Sequence, residues 1–115
     1  KIAVFGFPLR NKDEIGKIAV DHGVDFIWLM NEAERWDLVK DKSALDFFNQ
    51  LMELITKLQS YDVVIIIGSR RWLKIAEALL TGELIFLELG QSPIIGDRVL
   101  NPDFFRETLV KLVKE

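Results

Sequence analysis

The chain has 115 residues, of which 50% are hydrophobic and 29% are charged, and its formal net charge is -3. This length suits one compact domain with a core of its own, and the composition is that of a folded chain. With this negative net charge the chain is not expected to have the basic face that nonspecific nucleic-acid binding requires. The chain contains no cysteine, which removes disulfides, thiolate nucleophiles and thiolate metal sites together.

No segment of the sequence has the pattern of a membrane span or a targeting signal. The longest wholly apolar run covers 63–67, whereas a transmembrane helix needs about 20 apolar residues. Lys1 leads directly into the first predicted strand, with no n-region or h-region before it. We therefore expect no membrane insertion and a cytoplasmic location.

The first thirty residues predict a strand, a helix and a second strand. Residues 1–7 (KIAVFGF) form the first strand, which is buried. Asn11 offers an N-cap to a helix over 12–22, with a glutamate three residues later as its reciprocal partner. Gly23 is the expected left-handed stop of this helix, and 24–30 (VDFIWLM) form the second strand.

The middle of the chain contains the longest predicted helix. The polar segment 31–41 predicts an irregular connection or a short turn of helix. From 43 to 60 the apolar residues fall on one helical stripe, and Phe47 and Leu54 beside the stripe widen it. A widened stripe indicates either deep burial or a surface offered to another subunit.

The segment 62–68 is an unbroken, β-branched strand with five consecutive apolar residues. Such a strand has to be covered on both faces, which is typical of a parallel sheet flanked by helices. A helix follows over 70–80, with Gly82 as its stop, and 84–89 form the fourth strand.

The last quarter of the chain predicts a loop and a final helix. The loop spans 90–100 and has room for a short fifth strand around Ile94. Asn101-Pro102-Asp103 supplies a cap, a first-turn proline and an acidic second position, which together predict a helix start. This last helix should run to about residue 114.

Strand and helix alternate four times, which predicts a single α/β domain over 1–115. We expect three layers around a four-stranded parallel sheet of order 2-1-3-4, flavodoxin-like or Rossmann-like. With this order the sheet reverses its direction of growth between strands one and three. Open α/β sheets bind ligands at that reversal, where the loops 7–12 and 68–72 should meet.

These two loops concentrate positive charge in a protein whose net charge is negative. Cations at helix N-termini oppose the helix dipole, and a bound anion would relieve this. The predicted anion- or ligand-binding residues are Arg10, Asn11, Lys12, Ser69, Arg70 and Arg71. The alternative is that the side chains are solvated, or that carboxylates neutralise the cations, the candidates being Asp13, Glu14 and Glu32.

Other chemistry has weaker signals. Neither the three-glycine Rossmann turn nor the Walker loop is present, so no motif identifies a cofactor. His22 falls in the last turn of the first helix, where imidazole suits the dipole. The acidic cluster Glu32, Glu34 and Asp37 fits either a general base or magnesium ligands, or a solvated loop.

The three tryptophans fall at different positions in the predicted elements. Trp28 lies inside the second strand and should be core. Trp36 and Trp72 lie beside the predicted cleft, where an indole either stacks on a ligand or plugs the edge of the sheet.

The layout resembles the small F subunit of the archaeal and vacuolar type rotary ATPases. The similar segments are KIAVFGF, YDVVIIIGSRRWLKIAEAL, LIFLEL and NPDFFRETLVKLV. The resemblance implies a small parallel α/β domain in which Arg70 aligns with an arginine after the third strand. It also implies that the final helix, 101–114, contacts a rotor stalk. The family's glycine-aspartate turn is replaced here by Gly6-Phe7-Pro8-Leu9.

A second resemblance, to nucleoside deoxyribosyltransferase-like domains, rests on Phe5-Gly6-Phe7-Pro8 and LQSYDVVIII. That family has a catalytic glutamate in the helix after the third strand, where Glu77 lies here. The small-residue motif that precedes this glutamate is missing, so its catalytic role is not carried over.

Two functions remain open on these patterns. The first is a noncatalytic module that docks onto a larger assembly, such as a rotary-ATPase stalk, or onto itself. The second is an enzyme or sensor that binds a nucleotide or another phosphate-containing molecule at the strand-end cleft. The first is favoured, since the residues form no recognisable reaction centre.

Overall fold

The computed structural model describes residues 1–90 and 96–114. Within these residues the chain forms four strands and five helices. The strands are β1 (Ile2–Gly6), β2 (Phe26–Leu29), β3 (Val63–Ser69) and β4 (Glu83–Gly90). The helices are α1 (Lys12–Asp21), α2 (Glu32–Val39), α3 (Ala44–Leu58), α4 (Arg70–Leu79) and α5 (Pro102–Lys114).

The four strands form one parallel sheet of order β2-β1-β3-β4, which confirms the predicted topology. Val4 of β1 pairs with Ile27 on one side and with Ile65 on the other, and Ile65 pairs with Ile85 of β4. The apolar run in β3 therefore occupies an interior position of the sheet, as its lack of polar alternation predicts.

Helices cover both faces of the sheet. Alternate residues of each strand point to opposite sides, so each strand contributes to two cores. Ile65 and Ile67 belong to a cluster with residues of α1 and α5, including the fully buried Phe105 and Leu109. Ile66 belongs to a second cluster, with residues of α3 and α4. The result is a three-layer α/β fold, as predicted.

The segment predicted as an irregular connection or a short turn is the two-turn helix α2. Its N-cap Asn31 accepts a hydrogen bond from the backbone N–H of Glu34 at 2.8 Å. The Glu34 carboxylate accepts one in return from the backbone N–H of Asn31 at 3.1 Å. This capping box satisfies two N–H groups that a helix start otherwise leaves unpaired.

The residue before α1 makes different contacts from those predicted. Asn11 is the N-cap residue by position, but its side chain makes no capping hydrogen bond. Its amide instead donates to the backbone oxygen of Leu100 at 2.8 Å and to Glu14 at 3.1 Å, and its oxygen accepts from the Leu100 N–H at 3.1 Å. Asn11 thus joins the start of α1 to the segment that leads into α5.

Two glycines end elements in different ways. Gly23 has a φ of 78° and lies in the left-handed region, as predicted. The helix α4 ends at Leu79, before the predicted stop Gly82, and its C-cap residue Leu80 is extended. A Cβ at Gly82 would lie 3.0 Å from the backbone oxygens of Tyr61 and Asp62. Close approach of two backbones therefore requires this glycine.

The predicted start of the last helix is confirmed. The Asn101 side-chain oxygen accepts hydrogen bonds from the N–H groups of Asp103 at 2.9 Å and Phe104 at 3.2 Å. The fifth strand expected around Ile94 lies outside the described residues. In the described part of the chain, no helix has the length and apolar content that crossing a membrane requires.

Candidate functional site

The loops after β1 and β3 are neighbours, as the strand order predicts. The backbone N–H of Phe7 donates to the backbone oxygen of Ile67 at 3.2 Å. A Cβ at Gly68 would lie only 3.3 Å from the backbone oxygen of Phe7. The two loops therefore form one edge of the domain, at the reversal of the sheet.

Two of the predicted anion-binding cations contact carboxylates of the same chain. The Lys12 ammonium lies 2.9 Å from Glu34 and 3.9 Å from Asp13. The Arg70 guanidinium lies 3.3 Å from Glu88, at the end of β4. Asp13 was one of the expected partners, whereas Glu34 and Glu88 come from segments far from these cations in the sequence.

The other four predicted residues have separate environments. Arg10 and Arg71 are exposed. Ser69 is buried, with 4% of its surface accessible, and its side chain does not cap α4. Asn11 hydrogen-bonds to the backbone of Leu100. The two loops of the predicted site are therefore close together, but their polar side chains contact different partners. The anion site stays a prediction.

The ion pair between Lys12 and Glu34 is charged at neutral pH. The pKa of the Glu34 carboxyl lies below its ordinary 4.5, because the Asn31 N–H, and then the Lys12 ammonium, hydrogen-bond to the charged form. The pKa of Lys12 lies above its ordinary 10.5, chiefly because Glu34 accepts its hydrogen bond. The charge of Lys12 is therefore already balanced.

The acidic cluster at 32–37 consists of helix-stabilising side chains rather than a single convergent group. Glu32 pairs with Arg35, Asp37 pairs with Lys40 at 3.2 Å, and Glu34 caps α2. Over the described ranges, no three His, Asp or Glu side chains are grouped closely enough to hold a metal ion. His22 follows α1, and its Nδ1 lies 2.8 Å from the backbone oxygen of Ile18.

A recess lined by aromatic rings lies at the same edge of the sheet, on the side covered by α3 and α4. Its cavity volume is about 80 Å³. Its walls come from β1, β2, α2, α3 and α4, and we call it the aromatic recess. It is lined by Phe5, Phe7, Trp28, Met30, Arg35, Leu38, Phe47, Gln50, Leu51, Leu54 and Trp72.

Three rings of the aromatic recess are arranged around Phe5. Phe7 and Trp28 meet Phe5 edge to face, with ring centroids 5.8 and 5.7 Å away, and Trp72 lies at 6.3 Å. Phe7 and Trp72 also meet edge to face at 5.2 Å. These geometries are favourable aromatic contacts. Trp28 and Trp72 therefore form part of the recess wall, whereas Trp36 on α2 is 60% exposed and does not line it.

Two polar side chains complete the lining of the aromatic recess. The Arg35 guanidinium carbon lies 5.8 Å from the centre of the Phe7 ring, within cation–π distance. Its Nε and Nη2 groups donate to the Glu32 carboxylate, so its charge is balanced. The Gln50 amide oxygen accepts a hydrogen bond from Lys42.

A second, wholly apolar groove lies between α3 and α4. Its cavity volume is about 40 Å³, and it shares Phe5, Leu51, Leu54 and Trp72 with the aromatic recess. We call it the α3–α4 groove. Its remaining lining residues, all apolar, are Ile55, Leu58, Ile66, Ile75, Ala76, Leu79 and Leu80.

Large apolar side chains project from the two helices that border the groove. On α3, Leu45, Phe48 and Met52 are 67%, 56% and 41% exposed, and their spacing places them on one side of the helix. On α4, Ile75 and Leu79 are 39% and 40% exposed. We call these five side chains, with the α3–α4 groove, the docking face.

The structure is therefore a three-layer α/β protein with an exposed apolar face on α3 and α4. The sequence matches no family model, and neither a curated protein nor a solved structure is significantly similar to it. The resemblances to the rotary-ATPase F subunit and to deoxyribosyltransferase-like domains therefore stay predictions.

Proposed function

We propose that the protein is a noncatalytic docking module that pairs with a second copy of itself through the docking face. The observation that carries this proposal is the exposed apolar stripe of α3. Leu45, Phe48 and Met52 leave between 41% and 67% of their surface in water. A contiguous exposed apolar stripe is typical of association sites, whereas single scattered apolar residues are normal on a protein surface.

A second copy is the partner that the shape of this face favours. Projecting side chains and a recessed groove occur side by side on the same surface. In a two-fold pair each copy presents the same patch, so Phe48 of one copy can enter the α3–α4 groove of the other, and the reverse. The groove is lined only by apolar side chains, which suits the burial of a phenyl ring.

Charges on the two helices also suit a two-fold pair. Asp46 and Glu53 are exposed on α3, whereas Arg71 and Lys74 are exposed on α4. When α3 of one copy packs beside α4 of the other, acidic side chains face basic ones. Such complementarity favours the correct pairing and suppresses others.

The carboxylates nearest the strand-end cleft support a noncatalytic role. Glu32, Glu34 and Glu88 each contact a cation of the same chain. These contacts support a role in structural ion pairs. Docking onto a larger assembly, which the resemblance to the rotary-ATPase F subunit implies, would use the same exposed face.

The test is the mass of the particle in solution, measured by light scattering over a range of concentrations. We expect the wild type to approach twice the monomer mass and Phe48→Glu to be monomeric, because a charge in an apolar interface is costly. Phe104→Glu is the matched control, since Phe104 is 50% exposed on α5, across the sheet from α3. A wild type that stays monomeric, or an equal effect of both variants, contradicts the proposal.

Charge reversal supplies a second, independent test. Glu53→Lys should weaken the dimer, because it faces the basic side of α4 in the proposed pair. Adding Lys74→Glu in the same chain should restore it by exchanging the two signs. A double variant that is no tighter than Glu53→Lys alone would contradict the arrangement of the helices.

A further inference from the structure

We infer that the outer edge of β2 binds an extended segment of another protein, which adds a strand to the sheet and carries alternating apolar side chains between basic ones. This goes beyond the proposed docking function. The site is a groove between β2 and α1, which we call the edge groove. It shares no residue with the docking face, so the two sites can be tested separately. It is lined by Lys12, Asp13, Gly16, Val20, Ile27 and Leu29.

The edge groove is large enough for the side chains of a partner. Its cavity volume of about 380 Å³ falls within the roughly 300–1,000 Å³ of known binding pockets. Gly16 leaves this space open, since a Cβ there would approach only Leu29, at 3.9 Å. Val20, one turn further along α1, is 64% exposed. The groove therefore has both room for side chains and an apolar rim that a partner can cover.

The backbone of β2 has an open side. In the sheet that the structure describes, β2 is a terminal strand and pairs only with β1. The Met30 N–H donates to the backbone oxygen of Gly6 at 3.0 Å, toward β1. Successive residues of a strand direct their N–H and C=O groups alternately to its two sides, so those of Trp28 also point to β1. The groups of Ile27 and Leu29 then point to the open side, where an added strand would pair with them.

The sequence of β2 has none of the features that usually protect an edge strand. Phe26–Leu29 (FIWL) contains no charged residue and no proline, which are common means of blocking strand addition. All four residues are half-buried. This edge therefore keeps apolar surface that a partner strand can bury.

The lining of the edge groove indicates apolar residues at alternate positions of the partner. Ile27 and Leu29 lie two residues apart and pack on the same side of the sheet, against the core beneath α1. Alternate side chains of an added strand are about 7 Å apart, which is twice the rise per residue. Two apolar side chains of the partner can therefore lie against Ile27 and Leu29 at once.

The charges around the edge groove indicate basic residues on both sides of the apolar ones. Asp13 lies at the carboxyl end of the strands, and its side chain is 98% exposed. Asp21 and Asp25 are exposed near the start of β2. Lys12 also lines the groove, but its charge is already balanced by an ion pair. The three carboxylates outnumber Lys17, the other cation of α1, so the surroundings of the groove favour a basic partner.

The probe is the peptide acetyl-KTVTVTK-amide, which has valines at alternate positions and a lysine at each end. Its binding to the full chain is followed through the backbone amide signals in a two-dimensional NMR spectrum. We expect shifts at Gly16, Val20, Ile27 and Leu29 and none at Phe48 of the docking face. The amides of Ile27 and Leu29 should also exchange their hydrogens more slowly.

Two results of this titration contradict the inference. Absence of shifts in the edge groove, up to the solubility limit of the peptide, means that the groove does not bind such a segment. Shifts without slower exchange at Ile27 and Leu29 overturn the addition of a strand.

Two related peptides test the sequence that the groove selects. Acetyl-ETVTVTE-amide should bind at least about tenfold more weakly, because its ends repel the carboxylates. Acetyl-KTVVTTK-amide has the same composition as the probe but adjacent valines, and should bind severalfold more weakly because its valines point to opposite faces. Equal or tighter binding of the first overturns the basic flanks, and of the second the alternation.

Methylation of the peptide backbone tests the hydrogen bonds with the sheet. In an added strand, one alternate set of N–H groups faces β2 and the other set faces water. The probe is therefore N-methylated either on both valines or on the threonines that precede them. Only one of the two peptides should lose binding. An equal effect of both modifications overturns the pairing with β2.

Variants of α1 locate the site. Gly16→Met should fill the edge groove and abolish binding, whereas Lys17→Met, at the neighbouring exposed position, should retain it. Methionine favours the helix at both positions. If Gly16→Met binds the probe as the wild type does, the edge groove is not the site.

This test and the docking test fail separately. Phe48→Glu should bind the probe with the wild-type affinity, whether or not it dissociates the dimer. Loss of binding in Phe48→Glu, with the secondary structure retained, would mean that the peptide occupies the docking face and would overturn the inference.

Discussion

Lys12, the first residue of α1, is joined to Glu34 in the first turn of α2 by an ion pair of 2.9 Å. Glu34 also caps α2, so one carboxylate both starts this helix and attaches it to the neighbouring element. Because α2 carries Arg35 and Leu38 into the lining of the aromatic recess, the pair helps to position one wall of the recess. A cation predicted to bind an external anion thus contacts a carboxylate of its own chain.

Substitution of Glu34 can separate its two roles. Glu34→Gln removes the charge but keeps an oxygen that can accept from Asn31, as glutamine does in a capping box. We expect it to lower the free energy of unfolding by less than about 1 kcal/mol, since a partly exposed ion pair contributes little. Glu34→Ala also loses the cap and should cost about 1 kcal/mol more. Urea denaturation measures both.

Glu107→Gln, at an exposed position on α5, is the control for loss of a carboxylate. It should leave the unfolding midpoint unchanged. If Glu34→Ala is no less stable than Glu34→Gln, the capping role of this side chain is wrong.

The same ion pair predicts how stability depends on pH. The pKa of Glu34 is lower in the folded chain than its ordinary 4.5, so its contribution is present above this value. It is lost as the pH falls through the folded pKa. The pKa of Lys12 is raised above 10.5, so its contribution is present below that value and is lost as the pH rises through the folded pKa.

The measurement is the difference in stability between wild type and Lys12→Met across the pH range. We expect a constant difference between about pH 6 and pH 9 that shrinks at both extremes, because each partner must be charged. A difference that grows on acidification would show that Glu34 does not hold its lowered pKa through Lys12.

The sequence predicts the sheet well because its signals are local. The apolar run of β3 requires cover on both faces, and the alternation of strands and helices then limits the topology. The observed order β2-β1-β3-β4 agrees. The sequence predicts the helix α2 less well, because α2 has no continuous apolar stripe. The spacing of Asn31 and Glu34, which is that of a capping box, was the signal that identifies its start.

The aromatic recess could not be predicted in the same way. Its lining residues range from Phe5 to Trp72 and come from five elements and from the positions directly after β1 and β2, so no local pattern marks it. The shape of the recess depends on how α2 and α3 pack against the sheet. The ion pairs at the cleft were also unpredictable in detail, since Glu34 reaches Lys12 only after α2 has formed. Long-range packing therefore decides the site, whereas local pattern decides the fold.

Inorganic phosphate tests the anion site that the two loops suggested. Since Lys12 and Arg70 contact Glu34 and Glu88, we expect phosphate to raise the melting temperature little beyond the effect of chloride at equal ionic strength. The double variant Arg70→Ala with Arg71→Ala should respond in the same way. Clear stabilisation of the wild type that disappears in this variant would instead support binding of a phosphate-containing molecule.

Two glycines provide a matched test of packing at the site. A Cβ at Gly6, the last residue of β1, would lie 2.7 Å from Cβ of Ile67, so Gly6→Ala forces neighbouring strands apart. We expect this substitution to lower the free energy of unfolding by about 1–3 kcal/mol or more, as overpacking of a core does.

Gly16 lies inside α1, and a Cβ there would meet only Leu29, at 3.9 Å. Gly16→Ala should therefore stabilise the protein by up to about 1 kcal/mol, because alanine favours the helix. Opposite shifts of the thermal midpoint are the expected result. A stabilised Gly6→Ala variant would show that β1 and β3 are not packed as closely as the structure places them.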